Sequence, residues 1–316
     1  MEVRKVNGFF IIFVIGYIGL SVVCASIMAY AQNSGIAVPD WIQYVMSEGI
    51  ILLIAIIYMI VQKIDPIREI PYKRIGIVDV ILSLVAGYCL IPAVLLISNL
   101  SMLFSTNYLE EGTTTLLTYP FAMQVILLAV IPPLVEELIF RGIFFGSYRK
   151  AGMTGAALMS GLLFGCFHLN INQALYAFVM GIVFAYMVEA TGSLWSSVIA
   201  HFAVNTYSIG IVQILKMAGM YAQDGSVSET FENAESVAGQ STSITVVQIA
   251  MIAVIAAVFM MLAVLCIRTM AKRHGNLEKM KIQNVKLSHI NFTAPVIVGI
   301  VVCVMYMIML EFSGTL

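Results

Sequence analysis

Hydrophobic residues run along this chain in long blocks broken by short polar stretches, not in the spaced patterns of a soluble helix or strand. Runs long enough to cross a bilayer occupy 8–31, 42–62, 76–103, 119–147, 172–190, 194–216, 245–267 and 292–312. A shorter run, 154–168, lies between the fourth and the fifth. A helix needs about 20 apolar residues to cross a hydrocarbon core of about 30 Å. The pattern therefore predicts an all-α, polytopic membrane bundle of about eight to nine transmembrane helices. No internal repeat or low-complexity tract interrupts it, and 1–316 reads as a single integral membrane domain. The first run has a basic start but is too long for a signal-peptide core, so it reads as a retained helix.

Composition agrees. The 316 residues are 61% hydrophobic and 10% charged, with a mean hydropathy of +0.98. A soluble domain carries about 25% charged residues. Five cysteines, Cys24, Cys89, Cys166, Cys266 and Cys303, stand singly in apolar segments. They indicate neither a zinc ribbon nor a disulfide framework.

Charge placement adds orientation. Basic residues collect at Arg4 and Lys5, at Lys63, Arg68, Lys73 and Arg74, at Arg149 and Lys150, and from Arg268 through Lys272, Arg273, Lys279 and Lys281 to Lys286. The intervening loops 32–41, 104–118 and 218–244 contain no Lys or Arg; they carry Asp40, Glu110, Glu111, Asp224, Glu229, Glu232 and Glu235. Nine crossings with a cytoplasmic N-terminus put every basic loop on one side. The expectation is an integral protein of the cell membrane with its C-terminus outside.

Against this background a few polar groups stand out. The stretch "IPPLVEELIFRGIFFG" (131–146) places Glu136, Glu137 and Arg141 inside a spanning segment. Each ionisable group costs about 2.5–3.5 kcal/mol at a helix centre on insertion scales. His168 closes "LLFGCFHLN", with Phe164 one turn earlier, and "SSVIAHFAVN" carries His201 and Asn205. Glu137 and Arg141 are i, i+4 and predict an architectural ion pair. Helical neighbours point about 100° apart, which predicts that Glu136 and Glu137 face different partners. Glu136 is then the carboxylate left available as a general base.

The depths converge. At about 1.5 Å per residue, Glu136 lies about 18 Å from the basic end of its helix, His168 about 21 Å, Asn205 about 17 Å and His201 about 11 Å. Three helices delivering polar groups to one level describe a site. Pro132 and Pro133, just before the glutamates, open that helix to a kink.

These residues resemble a known family. "EELIFR" fits E-E-x-x-x-R, "FGCFH" fits F-x-x-x-H, and "HFAVN" fits H-x-x-x-N, in that order. The trio is similar to that of the CPBP intramembrane metalloproteases, which include the CAAX prenyl endopeptidases and bacterial abortive-infection or bacteriocin-immunity proteins. The resemblance covers about 119–216, the expected catalytic core, and leaves about 1–103 and 245–312 as accessory helices. It implies that Glu136 and His168 activate a water for attack on a peptide carbonyl. His201 and Asn205 would stabilise the oxyanion. Glu137 and Arg141 would hold the site in shape, and Phe164 would pack beside His168. Glu136, His168 and His201 form a donor set that Zn²⁺ could use with a position left for water. H-E-x-x-H is absent, however, and metal dependence stays open.

The expected reaction is hydrolysis of a peptide bond in a membrane-associated or lipidated peptide or protein, with no nucleic-acid partner. A rhomboid-like serine site is not matched, because Ser160 in "ALMSGLL" lacks the first glycine of that setting. A presenilin-like pair is not matched, because Asp79 has no second intramembrane aspartate. Two alternatives remain: a proton-coupled transporter using Glu136 and the histidines as a relay, and a non-catalytic immunity scaffold.

Overall fold

A computed structural model describes residues 2–106, 119–149, 152–219, 246–281 and 292–313. Its helices are α1 (Val3–Asn33), α2 (Trp41–Val61), α3 (Ile77–Ser101), α4 (Phe121–Tyr148), α5 (Met153–Phe167), α6 (Ile171–Thr191), α7 (Leu194–Met217), α8 (Val246–Arg273) and α9 (Ala294–Ser313). Eight are long and apolar enough to span a membrane, and α5, with 15 residues, is shorter. The chain is an all-α polytopic membrane bundle, as the hydropathy pattern predicts, and no strand occurs among the described residues. Lys150, Lys286, Glu110, Glu111, Asp224, Glu229, Glu232 and Glu235 lie outside the described residues.

Two apolar clusters form the interior. One joins α1, α2, α4, α5 and α9 through Phe13, Ile51, Phe144, Phe167 and Val296. The other joins α3, α6, α7 and α8 through Leu90, Phe184, Ala200 and Met270. Outward positions such as Ile12, Ile60 and Met261 stay exposed, as lipid-facing side chains do.

Polar contacts tie one end of the bundle together. Asp79, at the start of α3, accepts from Arg273 (3.2 Å) at the end of α8 and from His274 (3.1 Å) just beyond it. Arg149 pairs with Glu189. Leu194 N–H donates to the Pro71 carbonyl (2.8 Å), and the Ser193 hydroxyl donates to that of Lys73. Tyr148 donates to Asn7, whose amide donates to Thr293 (3.1 Å). Asp79 is thus an end clamp, which explains why it needs no aspartate partner.

Helix α4 is irregular for a reason visible in its residues. Proline has no N–H, so the carbonyls four residues before Pro132 and Pro133, those of Leu128 and Ala129, lose their α-helical donors. The backbone widens to a π-helical register over Val125–Val130, and again over Leu138–Phe145. Ser160 donates to the Phe140 carbonyl (2.8 Å) and Ser147 to that of Ile143 (2.7 Å). Ser160 is therefore a backbone brace in this fold.

Helices α5 and α6 touch backbone to backbone. A Cβ on Gly165 would lie 2.5 Å from the Ala174 carbonyl oxygen. Overpacking of this kind costs about 1–3 kcal/mol. Gly165→Ala is accordingly expected to lower the thermal unfolding midpoint of purified protein, because α5 can accommodate the methyl only by moving away from α6. At the α5 terminus Leu169 adopts φ 54°, which stops the helix immediately after His168. The next residue, Asn170, caps α6 by accepting from Gln173 N–H (3.2 Å).

Candidate active site

The three motifs meet where α4, α5 and α7 cross. Glu137 and Arg141 are wholly buried, and Arg141 Nη1 donates to Glu137 Oε1 (2.8 Å). The i, i+4 pair predicted from spacing is present. The Arg141 guanidinium also lies over the Phe164 ring, 4.3 Å from its centroid, and 5.2 Å from that of Phe184. Its Nε and Nη2 have no hydrogen-bond partner, so aromatic faces cover them instead. Gly181 makes room for this arrangement: a Cβ there would sit 2.6 Å from Gly161 Cα and 3.1 Å from Arg141 Nη2.

His201 corrects the expectation that Glu136 and Glu137 face different partners. Its Nδ1 lies 3.1 Å from Glu137 Oε1 and its Nε2 lies 3.8 Å from Glu136 Oε2. The physical reason lies in the ring. An imidazole presents two nitrogens on different edges, so one side chain from α7 spans two carboxylates that diverge on α4. The proton arrangement follows. Glu137 Oε1 already accepts from Arg141, so His201 Nδ1 is the donor to it. The remaining Nε2 faces a carboxyl group, and a stable contact there needs a proton on one of the two.

His168 does not bond to Glu136 among the described residues. Its Nδ1 is 2.8 Å from the Phe164 carbonyl oxygen, which can only accept, so Nδ1–H donates and Nε2 is left for other work. The Phe164 ring presents its face to Arg141 and meets His168 and His201 edge-on at 4.7 and 5.8 Å between centroids. Phe164 thus touches both histidines. Tyr176, on α6, lies within electrostatic reach of Glu136.

Asn205 is placed differently from its neighbours. Its amide donates to the Leu128 carbonyl (3.0 Å), the one that Pro132 and Pro133 deprive of both α- and π-type donors. One of its two N–H groups is thereby committed to bracing α4. Asn205→Ala leaves that carbonyl unpaired, at a cost of about 1–3 kcal/mol. We expect a lower unfolding midpoint for Asn205→Ala, and a smaller drop for Asn205→Gln, whose amide can still reach for the carbonyl.

Glu48 was not among the residues singled out from sequence. It lies seven residues into α2, and its Oε2 is shielded from solvent without a partner. The rule that flags intramembrane ionisable residues would have found it.

The Zn²⁺ expectation can be tested on the donors. Among the described residues no group of three or more His, Cys, Asp or Glu side chains converges tightly enough to hold a metal ion. His201 directs both nitrogens at glutamates, and His168 Nδ1 is engaged with the Phe164 carbonyl. Glu136, His168 and His201 as arranged do not form a zinc site, and no step below is routed through one.

Comparison with known proteins bears on the same region. The family model for the type II CAAX prenyl endopeptidase Rce1-like proteins matches residues 118–207. A Bacillus subtilis (strain 168) protein named "Putative membrane peptidase YdiL" is 33% identical over 88 residues, which is 28% of this chain and 36% of that protein. The chain thus matches about a third of the length of that curated relative. No solved structure matches the chain. The matched span holds all three motifs and the polar cluster they build, and over those residues the chain is similar to the Rce1-like CAAX prenyl endopeptidases.

Proposed function

We propose that this protein is an intramembrane endopeptidase that hydrolyses a peptide bond in a membrane-associated peptide or protein with a water activated by Glu136. The observation that carries the reading is His201 held between two glutamates, 3.1 Å from Glu137 and 3.8 Å from Glu136. Glu137 and Arg141 form an internally neutral pair that fixes the ring, which leaves Glu136 as the carboxylate free to take a proton. Its side chain keeps 15% exposure, where that of Glu137 has none, so the first can meet a small molecule and the second cannot.

In this reading Glu136 removes a proton from water as its oxygen attacks the peptide carbonyl carbon, His168 Nε2 holds that water from the other side, and Glu136 returns the proton to the amine nitrogen as the C–N bond breaks. His201, anchored to Glu137 through Nδ1, turns its Nε2 edge toward the developing oxyanion. The second N–H of Asn205 is available for the same oxygen. The chemistry occurs about 18 Å from the basic end of α4, within the bilayer, so the scissile bond belongs to a membrane-embedded or lipid-anchored segment. The basic end faces the cytoplasm in this reading. A lipidated substrate is supported by the family match alone.

The test is cleavage of a fluorogenic peptide library by purified protein in detergent, comparing wild type with Glu136→Ala and His168→Ala, with and without chelator. The reading requires loss in both variants and survival in chelator. Cleavage by Glu136→Ala at the wild-type rate would refute it. Proton-coupled uptake into proteoliposomes that is lost in the same variants, without cleavage, would establish a carrier instead.

A further inference from the structure

Glu48 brings a third carboxylate to the level of Glu136. It lies about 20 Å from the basic end of α2, against about 18 Å for Glu136 in α4. Helix α2 packs on the Ile131–Glu137 segment. The two carboxyl groups are close enough to interact electrostatically. Glu48 Oε2 is shut off from solvent and lacks a hydrogen-bond partner. Its neighbour Ser47 is engaged with Tyr17 (3.0 Å).

The cations nearby are committed. Arg141 Nη1 serves Glu137 at 2.8 Å and its guanidinium is clasped by Phe164 and Phe184. His201 is spread over Glu137 and Glu136. Among the described residues no Lys, Arg or His pairs with Glu48. The region therefore holds three carboxyl groups, Glu48, Glu136 and Glu137, against one guanidinium that is already bonded to Glu137, in a medium that penalises excess charge. A proton on Glu48 would remove one charge but give only one donor. An ammonium brings three donors and a guanidinium five, enough to satisfy the orphaned Oε2 and reach Glu136 as well.

We propose that Glu48 is a specificity-determining residue that receives a cationic group of the substrate, a Lys or Arg side chain or free ammonium beside the scissile bond. This rests on the endopeptidase reading for its link to cleavage, but not for binding. Removing a charge-assisted contact of this kind is expected to cost about 10- to 100-fold.

The experiment uses the full-length protein in lipid nanodiscs with matched peptides that carry Lys or its neutral isostere norleucine near the cleaved bond. Cleavage is followed by kcat/KM and binding by fluorescence anisotropy. Glu48→Gln should lower kcat/KM and affinity for the Lys peptide by about 10- to 100-fold, leave the norleucine peptide within about twofold, and keep the wild-type unfolding midpoint. Equal loss on both peptides would overturn the proposal and assign Glu48 to proton sharing with Glu136. No loss on either would overturn it as well. If wild type cleaves neither peptide yet prefers the Lys peptide through Glu48, the cation site stands and the endopeptidase reading fails. If it cleaves both alike, the reverse holds.

Discussion

Glu136→Gln is expected to lower kcat/KM for peptide cleavage by about 10²–10⁴-fold, the range that a positioned general base supplies, with little change in stability. Glutamine keeps the volume and can still approach His201 Nε2, which lies 3.8 Å from the carboxylate in the native protein. His201 itself stays anchored, because its Nδ1 bonds to Glu137 at 3.1 Å. What glutamine lacks is the capacity to take a proton from water. The check is steady-state cleavage together with thermal unfolding of the same preparation. Lost activity with an unchanged midpoint fits the base assignment, whereas a parallel fall in both would make Glu136 a structural residue.

Arg141→Ala is expected to destabilise the protein by about 3–5 kcal/mol, as does breaking any buried ion pair by removing one partner. Glu137 would be left as a wholly buried carboxylate with His201 as its remaining donor among the described residues. The guanidinium also covers the Phe164 face at 4.3 Å, so its removal loosens the ring that both histidines lean on. Arg141→Lys should fall between the two: it restores the charge but not the flat group that stacks on Phe164 and Phe184. The measurement is equilibrium unfolding in detergent. A double-mutant cycle with Glu137→Gln isolates the pair, and the double variant should lose less than the sum of the singles. Additive losses would show that Glu137 and Arg141 do not act as a unit.

The sites of these two predictions differ in how far the sequence alone revealed them. The Glu137–Arg141 contact follows from i, i+4 spacing and was legible without a fold. So were the helices, whose described ends fall close to the ends of the apolar runs, because hydrophobic length is a local property. His201 reaching both glutamates was not legible. The angular argument concerns one helix, and it says nothing about a partner ring with two usable edges arriving from another.

Asn205 and Glu48 show the same boundary from opposite sides. Asn205 stood in a motif and pointed to the reaction, yet part of its hydrogen bonding goes to the Leu128 carbonyl. That need is written in Pro132 and Pro133, but the donor that meets it comes from a helix about 75 residues away in the chain. Glu48 stood in no motif, yet α2, packed on the Ile131–Glu137 segment, carries it to the level of Glu136.

The sequence by itself determined that this is a membrane-spanning helical protein and named the polar residues that lipid would not tolerate without a purpose. Only the tertiary structure decided which of them meet. Hydropathy and helical spacing act over a few turns of one helix, whereas the meeting of α2, α4, α5 and α7 depends on glycine contacts, proline-widened turns and aromatic packing between segments far apart in the chain.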